Sequence, residues 1–444
     1  MGNLSTHSKI EIACAKKEGM ESTAEILNEF GSGGQGTVYR VVFRNREYAL
    51  KWYHKDAFKD RKQDFYNNLR NNIANGAPND AFLWPKYVTK MYGDQFGYLM
   101  DIRPSGYAEL TEFFVGSAKK KQKHFKSFQA VCNAAINIIE AFRALHEKGY
   151  SYQDINNGNF FINPENGDVL ICDNDNVSPD KVNLGIMGKQ RWMAPEIVLG
   201  KNDPDNNSDR FSLAVVLFRL LFINHPLEGQ YSTPPCMTKE LEKKYYGEKP
   251  IFIKDPNDTR NAPVQGTDYN LKKLWNAYPE YIRDAFCTAF SQDVMQMRKP
   301  RIIEKVWLDL FVRLRSEIGK CPYCHEETFY AEETESKCME CGKTISNVHA
   351  LQIKKIRYPI FKGMKINAWT LDSSLKDTKA NVAETVESKN KPGILGIRNT
   401  GDKTWRVDIP GAESRNVAAG QVTPVRAGYV IHFDGSNGAA GEII

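Results

Sequence analysis

The 444 residues exceed the roughly 250 to 300 at which one hydrophobic core stops growing, so about two or three domains are expected. A content of 41% hydrophobic and 11% aromatic residues excludes a disordered chain, and a net charge of +6 from 60 basic and 54 acidic residues is too balanced to dictate a nucleic-acid partner. No signal peptide is visible at Met1, and the longest apolar helix candidate, Phe211 to Phe222, is short and interrupted by Arg219. These features point to a soluble, cytoplasmic protein with no membrane partner.

Residues 1–22 are polar and read as an extension packed on the next domain; Met1-Gly2 with Thr6 formally matches an acylation pattern. Residues 23–101 are strand-like. Thr37-Val38-Tyr39-Arg40-Val41-Val42-Phe43 and Glu47-Tyr48-Ala49-Leu50-Lys51 flank a turn at Asn45, predicting a hairpin. The glycines of Gly31-Ser32-Gly33-Gly34-Gln35-Gly36 stand where a hairpin brings backbone N–H groups against phosphate oxygens without side-chain obstruction. A Rossmann fingerprint would need a helix after this loop, whereas the residues that follow are strand-like. Lys51, fifteen residues beyond Gly36, would aim an ammonium at the α- and β-phosphates of a nucleotide held under the loop.

Residues 102–316 make up the next unit, in which helical patterns dominate between Phe128 and Ser316, with Val131, Ala135, Ile138, Ile139, Phe142 and Leu145 at mostly three- and four-residue spacing. The run Lys119-Lys120-Lys121-Gln122-Lys123-His124-Phe125-Lys126 reads as a solvated loop, with an acidic-substrate or nucleic-acid patch as the alternative. Tyr152-Gln153-Asp154-Ile155-Asn156-Asn157-Gly158-Asn159 resembles the catalytic loop of protein kinases with His-Arg replaced by Tyr-Gln. In that resemblance Asp154 is the base and Asn159 offers an amide oxygen to magnesium. A buried strand, Val169-Leu170-Ile171-Cys172, then delivers Asp173-Asn174-Asp175; Asp173 is the expected metal ligand, and Asp175 competes for the role.

Cys321-Pro-Tyr-Cys324 and Cys338-Met-Glu-Cys341 in residues 317–350 are separated by thirteen residues, a spacing that suits four thiolates around a structural zinc. The other five of the nine cysteines, at 14, 132, 172, 236 and 287, are scattered and read as reduced thiols. Residues 351–444, with Gly393-Ile394-Leu395-Gly396-Ile397-Arg398-Asn399-Thr400 and Ala427-Gly428-Tyr429-Val430-Ile431-His432-Phe433, look like a small β domain.

On these motifs residues 24–316 resemble a eukaryotic-like serine/threonine protein kinase of bacteria. Met193-Ala194-Pro195-Glu196 is similar to its Ala-Pro-Glu element, and Ser208-Asp209-Arg210-Phe211 to the start of its central helix. The resemblance implies an α+β, two-lobed protein-kinase fold, here followed by a zinc ribbon and a small β-sandwich that resembles the second half of a forkhead-associated (FHA) domain. It implies ATP and Mg2+ (or Mn2+) beside the structural Zn2+. Gly31, Gly33, Gly36 and Lys51 would hold the phosphates. Val38, Ala49 and Phe161 would sandwich the adenine, with Met100 behind and Asp101 to Arg103 as hinge. Glu196 would pair with Arg298 or Arg301. The assembly of kinase, ribbon and tail resembles kinases of bacterial tellurium-resistance and stress clusters, which implies a protein substrate, a 2C-type phosphatase and a TerY-like protein as partners.

Four departures stand out. No glutamate occurs in the helix candidate after Lys51, which leaves Asp173, an asparagine or Asp64 as its partner; Asn156 replaces the lysine two residues after the base, with Lys189 as a compensating cation. Gln153 removes the arginine that receives a phosphorylated activation loop, and Asn174 replaces a packing phenylalanine. The retained Lys51, Asp154, Asn159 and Asp173 favour an active kinase, with a pseudokinase scaffold as the alternative.

Overall fold

The computed structural model describes residues 4–13, 22–115, 122–186, 188–330, 335–346, 349–375, 377–434 and 439–444. Met1, Gly2, Cys14 and Lys119–Lys121 of the basic run lie outside the described residues.

The first lobe is a six-stranded sheet in the order β1-β2-β3-β4-β6-β5. Its strands are β1 (Lys9–Glu11), β2 (Thr23–Ser32), β3 (Gly36–Phe43), β4 (Arg46–Tyr53), β5 (Tyr87–Val88) and β6 (Gly97–Met100). The predicted hairpin is β3–β4, closed through Arg44 and Asn45, both at positive φ (51° and 58°), as a two-residue hairpin turn requires. The polar extension does more than pack on this lobe. Lys9–Glu11 pairs antiparallel with β2, and Ile10 and Ile12 are buried, an alternation too short to register as a strand in the sequence. Helix α1 (Lys62–Asn75) buries Phe65, Tyr66, Asn68, Leu69 and Asn72 along one face.

The second lobe is built on three helices. Phe128–Glu147 is capped by Ser127 and buries each of the positions read from its periodicity. Asn206–Phe222 opens on a capping box of Asp205 and Ser208 and is buried nearly all round, so it is the central element. Glu304–Ser316 packs on Phe128–Glu147 and adds Trp307 and Phe311 to the same core.

Beyond it, the paired strands Ile318–Lys320 with Glu327–Phe329, and Glu335–Lys337 with Thr344–Ser346, form two small hairpins. Further on, a six-stranded and a four-stranded antiparallel sheet bury Leu351, Ile366, Ala383, Ile397, Trp405 and Ile431 in a common core. This tail is fastened to the second lobe. The buried Trp369 donates from Nε1 to Asp309 Oδ1 at 2.7 Å beneath the Arg143 guanidinium, and Thr378 Oγ1 donates to Glu140 Oε1 at 2.6 Å. No helix among the described residues is long and apolar enough to cross a membrane.

Candidate active site

The glycine hairpin joins β2 to β3, with register irregularities in β2 that bend the strand. Gly36 is required by the fold itself, since a Cβ there would lie 2.5 Å from the Trp52 carbonyl oxygen. Gly31 and Gly33 have no such internal constraint: a Cβ on Gly31 meets nothing within 4 Å, and one on Gly33 only the Gly36 oxygen at 3.9 Å. Their bareness leaves an exposed backbone edge rather than a packing contact. Across the hairpin, Val38 is in register with Lys51, and Ala49 with Met100 on the next strand.

The Lys51 side chain is buried, and its Nζ reaches Asp173 Oδ1 at 3.2 Å and Asp175 Oδ1 and Oδ2 at 3.1 and 2.9 Å. Burial alone would lower its pKa; Asp175 and then Asp173 outweigh burial and hold it above the ordinary lysine value, so the ammonium is stable. Neither Asp64 nor an asparagine is its partner. Asp64 is exposed, and α1 instead sends Asn68 and Asn72 to the Val177 carbonyl, each at 2.8 Å.

The two carboxylates after the Val169–Ile171 strand differ sharply. The Asp173 side chain is 42% exposed, while that of Asp175 is fully buried. Asp175 Oδ2 accepts from Tyr53 OH at 2.5 Å and Oδ1 from Tyr98 OH at 3.1 Å. Burial, and next the Asp175 charge, keep both phenols well above their usual pKa, so they remain donors. Asp173 sits at φ 52°, ψ 41°, a left-handed conformation that opens the short turn Asn174–Asn176 and separates the two carboxylates. The buried Asn174 donates to the Ile171 carbonyl at 2.9 Å, fixing that turn where a packing side chain was absent.

In the loop at Asp154, Asn156 Nδ2 donates to Asp154 Oδ1 at 3.1 Å, and Asn159 Nδ2 donates to its backbone oxygen at 2.9 Å. Lys189 Nζ, arriving from the later segment, donates to Asn156 Oδ1 at 2.8 Å. Gly188, at φ 79°, lets that segment approach: a Cβ there would stand 3.0 Å from the Gln153 oxygen. Burial pushes the Asp154 carboxyl up to about 6, against the opposing pull of Asn156 and the Lys189 charge.

The loop hangs from Asp209, whose carboxylate receives Tyr152 N at 2.7 Å and Gln153 N at 3.0 Å. His146 stands between Asp209 and Glu304, at 3.1 and 2.9 Å. Glu196 pairs with Arg301, bidentate at 2.8 and 2.7 Å and buried, while Arg298 turns outward to Asp293. Gln153 Nε2 binds Ser178 Oγ at 2.8 Å; Ser178 is buried and donates onward to the Val182 oxygen. The single hydroxyl of the Asp173–Glu196 segment is therefore enclosed.

Ala49 and Met100 are buried, and Val38 and Phe161 are half-buried. The Arg103 guanidinium lies 3.8 Å from the Phe161 ring centroid, and Asp101 bridges Arg46 and Lys86 at 3.0 and 2.5 Å. Apart from this site, the four cysteine sulfurs lie within 4.8 Å of one another, with Cys321 to Cys341 at 3.8 Å and Cys324 to Cys338 at 3.6 Å. A tetrahedron with metal–sulfur bonds of about 2.3 Å has edges of about 3.8 Å, so the set fits a zinc ion. The two halves repeat one turn: His325 and Gly342, both at positive φ, donate from N to the carbonyls of Cys321 and Cys338 at 2.9 and 3.0 Å.

From sequence alone Asp175 stands only as a competing metal ligand, and Tyr53 and Tyr98 have no assigned role. The available signal was the missing helix carboxylate together with Tyr53 two residues after Lys51, on its face of the strand, and Tyr98 opposite Lys51 in register.

The family described as "Protein kinase domain" matches residues 24–261. Among curated proteins the chain is similar to the dual specificity protein kinase shkB of Dictyostelium discoideum, 24% identical over 287 residues, covering 63% of this chain and 40% of the relative. It is also similar to the serine/threonine/tyrosine-protein kinase HT1 of Arabidopsis thaliana, 25% identical over 234 residues, covering 48% of this chain and 56% of the relative. The chain thus spans roughly half the length of these curated relatives. Among solved structures, the PknI kinase domain of Mycobacterium tuberculosis (C20A_R136A double mutant) aligns with a TM-score of 0.38 at 17% identity, over 51% of this chain and 81% of that one.

Proposed function

The chain belongs to the protein kinase family, and we propose that it is an ATP- and Mg2+-dependent enzyme that transfers the γ-phosphoryl group to serine or threonine hydroxyls of a protein substrate. The observation that carries this reading is Lys51 of the first lobe reaching Asp173 of the second at 3.2 Å, on strands that also present the bare glycine hairpin and the Ala49–Met100 pair. The residues suit the cofactors. Asp173 offers an exposed carboxylate, and the amide nitrogen of Asn159 is spent on the Asp154 carbonyl, which leaves its oxygen for a hard cation. Bound there, magnesium would neutralise charge on the transferring phosphates.

In this reading Lys51 orients the α- and β-phosphates, and the Gly31–Gly36 backbone covers them. Val38, Ala49, Met100 and Phe161 enclose the base, with Asp101 to Arg103 at the hinge. Asp154 accepts the hydroxyl proton as the hydroxyl oxygen bonds to the γ-phosphorus and the bond from that phosphorus to the bridging oxygen breaks, with ADP as the leaving group; Asn156, braced by Lys189, holds Asp154, and Lys189 sets positive charge near the γ-phosphate. The enclosed Ser178 supports control by a partner or another part of the chain rather than by phosphorylation of this segment. Cys321, Cys324, Cys338 and Cys341 hold a structural Zn2+, and the two sheets of the tail form an FHA-like β-sandwich. A 2C-type phosphatase and a TerY-like protein, in a bacterial stress system, are the partners this reading assigns.

Labelled ATP with Mg2+ or Mn2+ and candidate proteins tests the proposal beside an Asp154→Ala control. Label should move to protein only with the unaltered chain. Absence of any transfer that depends on Asp154 overturns the assignment in favour of a nucleotide-binding scaffold.

A further inference from the structure

We propose that Asp175 is the positioning counter-ion of Lys51, holding from the segment after Asp173 the ammonium that a helix carboxylate would otherwise hold. The lysine then engages nucleotide phosphates without any movement of α1. This inference rests on the nucleotide-binding role proposed above.

Three features single out Asp175. Its carboxylate is fully buried, and both oxygens are used, Oδ1 by Lys51 and Tyr98 at 3.1 Å each, and Oδ2 by Lys51 at 2.9 Å and Tyr53 at 2.5 Å. A carboxylate so saturated has no free oxygen for a metal, which leaves Asp173 to that task. Second, α1 brings no carboxylate to the lysine: its buried polar residues are Asn68 and Asn72, and both amides are committed to the Val177 carbonyl. Third, the two tyrosines sit on β4 and β6, one on the lysine's own strand and the other in register with it, so the first-lobe sheet itself fixes the carboxylate.

This changes what positions the lysine. A counter-ion on a helix can be withdrawn when the helix swings. Asp175 lies two residues from Asp173, across a turn whose Asn174 donates to the Ile171 carbonyl at the strand end. The lysine and the metal-binding carboxylate are thereby held by one short segment. Moreover α1 is itself bonded to that segment at Val177, so the helix follows the segment rather than steering the lysine.

The test uses the full chain and measures kcat and KM for ATP, with ATP-induced thermal shift as a separate binding readout. Asp175→Asn should lower kcat/KM by about 100-fold, the scale of an ångström-level misplacement of a positioned group. Asp175→Glu should recover part of that loss, and Asp64→Ala should leave the value unchanged. Lys51→Met and Asp175→Asn combined should be no worse than Lys51→Met alone, because one residue acts through the other. A purely structural Asp175 would lower thermal stability and leave kcat/KM intact; that result, or additive losses in the double variant, overturns the inference.

Should Asp175→Asn fail to fold, the paired Tyr53→Phe and Tyr98→Phe changes keep the charge and remove its two anchors. They should cost about 10-fold in kcat/KM, and an unaltered value overturns the inference. If the unaltered chain transfers no phosphate, the proposed enzymatic function fails by itself. The shift with ATP then decides the role of Asp175: it should be present in the unaltered chain and lost in Asp175→Asn, and equal shifts, or none in the unaltered chain, overturn the inference.

Discussion

His146 offers a test of how the loop around Asp154 is held, because its charge can be removed by pH. Its side chain is 4% exposed and lies between Asp209 at 3.1 Å and Glu304 at 2.9 Å, and Asp209 carries the backbone of Tyr152 and Gln153. Burial alone would lower its pKa, but hydrogen bonds to Asp209 and Glu304 and their charges reverse this and raise it to about 9. A folded-state value raised above the unfolded one means that the stabilisation is complete below about pH 6.5 and is lost as pH rises through about 9. The difference corresponds to about 3 kcal/mol. Glu304, raised by its burial but held down to about 2 by His146 and by Arg210, whose Nε is 3.0 Å away, loses its contribution only in strong acid; the part it owes to His146 is the same interaction and is not added.

The perturbation is His146→Gln, compared with the unaltered chain in thermal melts from pH 6 to 10. At about 2–4 °C per kcal/mol for a unit of roughly 150–250 residues, the midpoint gap should be about 6–12 °C wider at pH 6 than at pH 10. Titration of other groups is common to both proteins and cancels in the gap. A gap that stays constant across this range would show that His146 contributes only as a neutral packed ring, and would refute the charge argument.

Other outcomes follow from the same geometry. Lys189→Ala should reduce phosphoryl transfer by roughly 10- to 100-fold, and adding Asn156→Lys should restore much of it; no recovery would mean that Lys189 acts elsewhere than beside Asn156. Trp369→Ala should cost about 3–5 kcal/mol of docking and packing and leave Asp309 unpaired, so that limited proteolysis releases the tail sooner; an unchanged digestion time course would contradict the observed anchorage. Metal analysis should find one zinc per chain, absent from Cys338→Ala, with a strong chelator exposing residues 318–346 to protease. A metal-free chain with protease-resistant hairpins would remove the zinc assignment.

Much of this molecule is legible locally. The β3–β4 hairpin, the buried face of Phe128–Glu147 and the two cysteine turns depend on residues a few positions apart, where steric limits and periodicity act directly. Tertiary structure was needed wherever two neighbouring residues could serve one role. Arg301 rather than Arg298 meets Glu196, because its side chain enters the core while Arg298 stays with Asp293 at the surface. Asp175, 124 residues from Lys51, faces it because the left-handed turn at Asp173 sends the two carboxylates into different environments. Ile10 becomes a sheet residue only because β2 presents an open edge, and Ile12 is buried where the chain goes on to bridge Thr89. Residue order alone sets which carboxylates, lysine and glycines the two lobes can bring together. Which carboxylate is buried against the lysine and which stays open was decided by packing, since burial depends on neighbours that arrive from distant parts of the chain.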